Sequence, residues 1–499
     1  MTSSHRTRLA ASLLALALVA AACGGSDGDS ADEAGADSAP ATESASTEPA
    51  TTDPATSGSP TTEGTDDTSP PASEPGSEGV LRVPDDFATI TEAVDAAVPG
   101  DLVLISPGTY NEAVNVVTDD VTIRGLDRNE VILDGEFELD NGIRILGATG
   151  VVVENLTAQN YTSNGVFALE ADGYRVSYVN AIRNGDYGIY GFDAVNGTIE
   201  HSYAAGSPDA GVYIGQCFPC DSVIDDVTSE HNGLGYSGTN SGGNLYIVNS
   251  TFRNNRAGIV PNSGSYELCY PERQTTIVGN IVHSNNQPDT PAIDVAILAM
   301  GNGILIPGGI GNVVERNLIY DHDKTGIGLT PFLEEGPNDD LPTEEEWTLD
   351  CATQREQELA TEVPESLLWE AYDNSIRDNI VEDSRVADLG VAGVSVPSAD
   401  LRNCWSGNTY TTSAPNAIET LAPCGGTGSG NWDDNPLDVF AWLDEVPSRP
   451  PSVDYQTAEL PEPPVLEGMD DPENAPVEPA RAPRTVDIAA IVVPAKPAG

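Results

Sequence analysis

Glycines followed by a β-branched or aromatic residue recur through the middle of the chain at Gly142, Gly165, Gly188, Gly211, Gly235 and Gly258. The intervals are 23, 23, 23, 24 and 23 residues. Gly303 and Gly326 continue the series, again 23 apart, after an interval of 45 that is close to two periods. A fixed period in this range marks a repeat architecture and decides the fold class before any local propensity does. Each unit carries a second apolar run, as in "YRVSYVNAIRN", "NLYIVNSTFRNN" and "NVVERNLIYDHD". Two or three short strands per period, separated by Asn and Gly turns, leave no room for helices. The chain reads as an all-β solenoid.

The repeat explains itself physically. Alternation in "GIYG", "GVYI" and "GILI" sends one side chain inward and the next outward. One coil of 23 residues cannot bury its inner face alone, so coils stack and each strand pairs in parallel with its neighbour. Asn155, Asn249, Asn280, Asn317 and Asn379 fall at about the same turn and are expected to form one amide ladder bonding each coil to the next. Ahead of the repeat, Phe87, Ile90, Val94 and Val98 are spaced as one face of a short helix, with Asp85 and Asp86 at the N-cap position and "PG" at its end. Such a helix would cap the exposed edge of the first coil.

The entry segment "PDDFATITEAVDAAVPGDLVLISPGTYNE", followed by "VTIRGLDRNEVILDG" and the coils after it, resembles the right-handed parallel β-helix (pectin-lyase-like) superfamily, including NosD-like β-helix proteins. The resemblance spans about residues 80–424 and implies a single-stranded right-handed β-helix of about eleven coils. It implies no single chemistry, because this fold carries many activities as well as proteins with none. The Gly-His-Gly and Arg-Ile-Lys signatures of polygalacturonase-type sites do not occur, nor do the "DFIFG" and "DPHE" runs of related enzymes. No Met/His cluster supports a copper role.

The flanks differ in composition. Arg6 and Arg8, the apolar run from Leu9 to Ala22 and the junction "VAAAC" read as a cleaved export signal over 1–22, with Cys23 placed as a lipidated cysteine. Residues 23–79 are almost entirely Ser, Thr, Pro, Ala, Gly and acids, a composition that cannot bury enough apolar surface to order itself. Residues 425–499 read similarly as a Pro-rich acidic tail, in which "DVFAWLDEV" is the one stretch suited to dock on the core as a short helix. The whole describes an exported, lipid-anchored monomer on the extracellular face of the envelope. A net charge of −58 argues against nucleic-acid partners and is compatible with Ca2+, which takes carboxylate oxygens. Cys217, Cys220, Cys269, Cys351, Cys404 and Cys424 make an even set suited to disulfides, and proximity suggests Cys217–Cys220 and Cys404–Cys424, leaving Cys269–Cys351. An insertion at about 333–372 interrupts the coils, and its Trp347 and Trp369 suit either loop packing or sugar stacking.

Equal offsets from the repeated glycines lie on one line along the solenoid axis. Two residues after them stand Arg144, Phe167, Tyr190, Tyr213, Ser237 and Val260, so Phe167, Tyr190 and Tyr213 form an outward aromatic strip suited to sugar rings. Two residues before them stand Asp186 and Asp209, expected about 5 Å apart, the spacing of neighbouring strands. Carboxylates that close repel, which suits a Ca2+ site or an acid/base pair. Arg256 is placed to hold a uronate carboxylate, and His231 with Glu230 is placed on the same face as a base. Lys324 is the one core candidate for a lysine base. The expectation is recognition or processing of a polysaccharide, by lyase or hydrolase chemistry if catalytic. The alternative is a non-catalytic surface β-helix that binds carbohydrate or serves structurally.

Overall fold

A computed structural model describes residues 79–497. The expected signal, Cys23 and nearly all of the tether lie outside the described residues. Three parallel sheets of 12, 11 and 10 strands run the length of the coiled region. One turn shows how the chain serves all three: Asp172–Ser177 lies in the first sheet, Asn180–Ile182 in the third and Tyr187–Phe192 in the second. Each strand pairs with the equivalent strand of the next coil, so Val166 stacks on Ile189, Val212, Tyr236 and Ile259 in register. All five side chains are buried in the continuous core.

The interval of 45 residues is one coil, not two: Ile259 pairs directly with Ile304. The additional length leaves the coil as an excursion after Ala257–Asn262 and as a segment containing the helix Asp294–Ala299. The insertion at 333–372 opens and closes as an antiparallel ribbon, Phe332–Glu335 against Ser366–Trp369. Trp369 is buried there and donates from Nε1 to Glu334 at 2.7 Å, while Trp347 packs on Tyr372. Both tryptophans anchor the loop. All three disulfides form in the pairing that proximity suggested.

The entry helix is shorter than its apolar spacing predicts, spanning Ile90–Ala96. Its N-cap is Thr89, whose hydroxyl accepts from the Glu92 amide at 3.1 Å, rather than Asp85 or Asp86. Asp86 instead accepts from the amide of Arg82, and Val98 is exposed beyond the helix end.

The amide ladder also needs correction, because there are several and their membership differs. One runs Asn280, Asn317, Asn379 and Asn408: each Oδ1 accepts from the backbone amide one coil earlier, and each Nδ2 donates to a buried carbonyl. Asn312, Asn374 and Asn403 form a second, and Asn232, Asn255 and Asn285 a third. Asn155 and Asn249 stand outside the first ladder, at φ 59° and 48° in the left-handed corner between sheets. Asn tolerates that region because its short amide bonds locally. Ser250 holds the ladder position instead, its hydroxyl accepting from the Val227 amide at 3.0 Å.

Residues 449–497 do not behave as their composition suggests. The tail lies along the coils, first toward the N-terminal end and then back. Arg256 donates to the carbonyls of Pro450 and Pro451, Arg183 to those of Tyr455 and Ala458, and Arg124 to those of Pro472, Ala475 and Pro476. On the return, Arg484 meets Thr198 and Asp225, Arg316 takes the Ile488 carbonyl, and Lys496 reaches Glu382. A Pro-rich strand keeps its carbonyls free but has few N–H groups with which to pair them. Planar guanidinium forks supply the missing donors. Much of this docking is polar, which is why a hydropathy argument overlooks it.

The ladder predicts its own energetics. Asn317→Ala removes the acceptor for the Asn280 amide and the donor to the Ile277 carbonyl, leaving both buried. Chemical denaturation should show a loss of about 1–3 kcal/mol.

Candidate functional site

The outward face of the second sheet carries the aromatic strip. Phe167, Tyr190 and Tyr213 occupy one line in register, with Arg144 before them and Ser237 and Val260 after. The Phe167 and Tyr190 rings stack at 4.6 Å and 13°, and both remain partly exposed. Tyr213 points outward as expected but is not open to solvent, being 1 % exposed. Ser237 and Val260 are likewise covered. The open part of the strip is therefore Phe167 and Tyr190, extended by Tyr187, whose ring stacks on Tyr190 at 4.3 Å.

What covers Tyr213 is a carboxylate that the repeat does not reveal. Glu267 lies in the excursion after Ala257–Asn262, and its two oxygens accept from the Tyr213 hydroxyl at 2.7 and 2.8 Å. The excursion is held in place by Asn240 Nδ2, which donates to the Gly264 and Glu267 carbonyls, and by Gln216, which accepts from the Leu268 amide. The Cys269–Cys351 disulfide ties it to the later insertion. The anomalous 45-residue interval was the available signal that a loop departs here.

Asp186 and Asp209 occupy equivalent turns on successive coils, the Asp209 amide donating to the Asp186 carbonyl at 3.1 Å. The Tyr187 hydroxyl reaches forward one coil and donates to Asp209 Oδ2 at 2.6 Å. Asp209 keeps a partly open surface, yet burial of its surroundings pushes its pKa up to about 7, with the Tyr187 hydrogen bond opposing and Asp186 adding repulsion. Glu267 is pushed up to about 8, by burial first and by Asp209, against the Tyr213 hydrogen bond. Burial raises Asp186 as well, against a hydrogen bond from Ser163. Three acids thus surround a tyrosine cluster, and burial raises the proton affinity of each.

The other expected members lie elsewhere. Arg256 is fully buried, and its guanidinium is taken up by the carbonyls of Pro288, Thr290, Pro450 and Pro451. It has no donor to offer a uronate. His231 follows a strand of the third sheet, and its charged neighbours are Glu230 and Arg253 rather than the aspartate pair. Glu230 is itself bound to Tyr203 and Arg253. Lys324 pairs with Glu445. Among the described residues, no three His, Cys, Asp or Glu side chains converge as a metal-ligand set.

The family described as "right handed beta helix region" matches residues 141–319. The coiled region folds as a right-handed parallel β-helix. No curated protein matches its sequence. Among solved structures, the β-helix is similar to the A-module of the Azotobacter vinelandii mannuronan C-5 epimerase AlgE4. That match has 14 % identity and a TM-score of 0.43, covering 70 % of this chain and 97 % of the other. It is similar also to a mannuronic acid specific polysaccharide family 6 lyase from human gut microbiota, at 15 % identity and a TM-score of 0.39, covering 64 % and 76 %. A third is the pectate lyase Pel9A, at 10 % identity and a TM-score of 0.33, covering 70 % and 81 %. At that level none of them bears on this β-helix's chemistry.

The acids give the protein a pH signature. A carboxyl whose folded pKa lies above its unfolded value favours folding at low pH, and that contribution is lost as the pH rises. Asp209 and Glu267 should therefore cost stability between about pH 4 and pH 8. Glu267→Gln should raise the thermal midpoint relative to the parent at pH 8, and the difference should shrink toward pH 5.

Proposed function

We propose that the face running from Phe167 through Tyr190 to Asp209 and Glu267 recognises or processes a polysaccharide. The observation that carries this reading is a pair of partly exposed, stacked rings beside two carboxyls that retain protons near neutrality. Aromatic faces pack on sugar rings, and a protonated carboxyl supplies the proton that a departing glycosidic oxygen needs. Asp209, beside the open tyrosines, is the proton donor on this reading, and Asp186 is the base or a carboxylate partner for Ca2+. On the Ca2+ alternative, Asp186 and an ionised Asp209 supply only part of the six to eight oxygens that the ion takes, and substrate and water would complete its shell.

A second reading, binding without turnover, is favoured by the hydrogen bonds already made. Asp209 is engaged by Tyr187 and both oxygens of Glu267 by Tyr213, so each acid already has an internal partner. Incubation of the purified protein with a panel of neutral and uronate polymers, with and without Ca2+, separates the two. The catalytic reading expects unsaturated products absorbing near 235 nm or new reducing ends, at least 100-fold lower in Asp209→Asn. Saturable polymer binding lost in Tyr190→Ala, without products, supports the binding reading. Neither binding nor turnover on any polymer would remove both.

The envelope location belongs to the same proposal. Cys23, at the end of an export signal, carries a lipid that tethers the β-helix to the membrane through residues 23–79. Metabolic labelling with an alkyne fatty acid should mark the expressed protein, and Cys23→Ser should abolish the label and release the protein from the membrane fraction.

A further inference from the structure

Beyond the aromatic strip, the outward face of the second sheet continues to Val260 and then to Leu305 on the next coil. There the chain leaves its regular winding three times and builds a roof. The helix Asp294–Ala299 comes from the segment between Ile281–His283 and Ile304–Pro307, the ribbon Phe332–Glu335 with Ser366–Trp369 from the insertion, and the helix Val439–Glu445 from the segment after the last coil. Beneath them lies a cavity of about 290 Å³ lined by Val260, Leu305, Phe332, Leu368, Trp442 and Leu443 among others. Among the described residues, no Asp, Glu, Lys or Arg lines it.

The roof is fastened from outside the cavity. Asp438 caps the last helix by accepting from the Ala441 amide at 3.1 Å, which turns Val439, Phe440, Trp442 and Leu443 toward the void. The Lys324–Glu445 ion pair holds that helix to the coils. Arg449 donates to the Ile297 and Leu298 carbonyls, tying it to the other helix. These polar clamps fix both helices over the coils. Apolar surface left facing water forgoes the gain of burial, and apolar cavities about half this size already hold benzene. A walled apolar space with a few polar groups at its edge is the usual form of a small-molecule site.

We propose that this cavity binds a small uncharged apolar molecule, an aliphatic chain or ring system bearing at most one or two hydroxyl or carbonyl groups. A charged ligand would have no partner on these walls and would lose its hydration on entry. The site is separate from the acid cluster and stands or falls independently of the polysaccharide reading.

The probes are N-phenyl-1-naphthylamine, whose fluorescence rises in apolar surroundings, and 1-decanol as its competitor. The mature protein should bind the fluorophore saturably at one site, with decanol displacing it and raising the thermal midpoint. Ala299→Phe and Leu305→Trp, which fill the cavity, should each weaken binding at least tenfold, while Tyr190→Ala leaves it unchanged. The proposal is overturned by non-saturable fluorescence, or by equal binding in a filled variant that retains its circular dichroism. If both filled variants fail to fold, the decanol-induced rise in the parent's midpoint decides, and its absence overturns the proposal.

Discussion

Every other feature of this molecule depends on the parallel hydrogen-bonded stacking of one coil on the next. Parallel pairing in register forces equivalent residues into lines, and each line must be chemically self-consistent over many coils. Inside, that yields the column Val166, Ile189, Val212, Tyr236 and Ile259. At the corners, where strands stop and backbone amides would otherwise be buried without partners, it yields the asparagine ladders. An asparagine suits this place because one side chain both accepts from the coil on one side and donates to the coil on the other.

Stacking also explains how a site is assembled here. A coil offers only one residue per line, so two acids become neighbours by occurring one period apart, as Asp186 and Asp209 do. The tyrosines complete the arrangement by reaching between coils, Tyr187 forward to Asp209 and Tyr213 out to Glu267. The raised proton affinity of both acids follows from enclosure: the excursion lowers the polarity around them and brings a third carboxyl within range. The same logic of roofing the second sheet, farther along the axis, creates the apolar cavity.

Legibility followed periodicity. The all-β solenoid, the inward and outward phases and the aromatic line were readable because the 23-residue period repeats every signal. The disulfide pairing was readable from proximity. Where side chains land between coils is a different matter. Arg256 sits beside a repeat glycine, yet its guanidinium serves carbonyls nearly two hundred residues away. His231 is one coil from Asp209 in number but falls on the third-sheet side of the turn. Asn249 and Ser250 are adjacent, yet Asn249 takes the left-handed corner and Ser250 joins the ladder.

The sequence by itself therefore determined the winding: the period, the buried face and the two lines on which Asp186 and Asp209, and Phe167 and Tyr190, stand. These are consequences of short-range alternation repeated in register. Tertiary structure alone decided which of those outward groups stay open and which acids hold protons. Excursions and the tail fold back over many coils, and where they land is set by disulfides, guanidinium forks and clamped helices that no local pattern encodes.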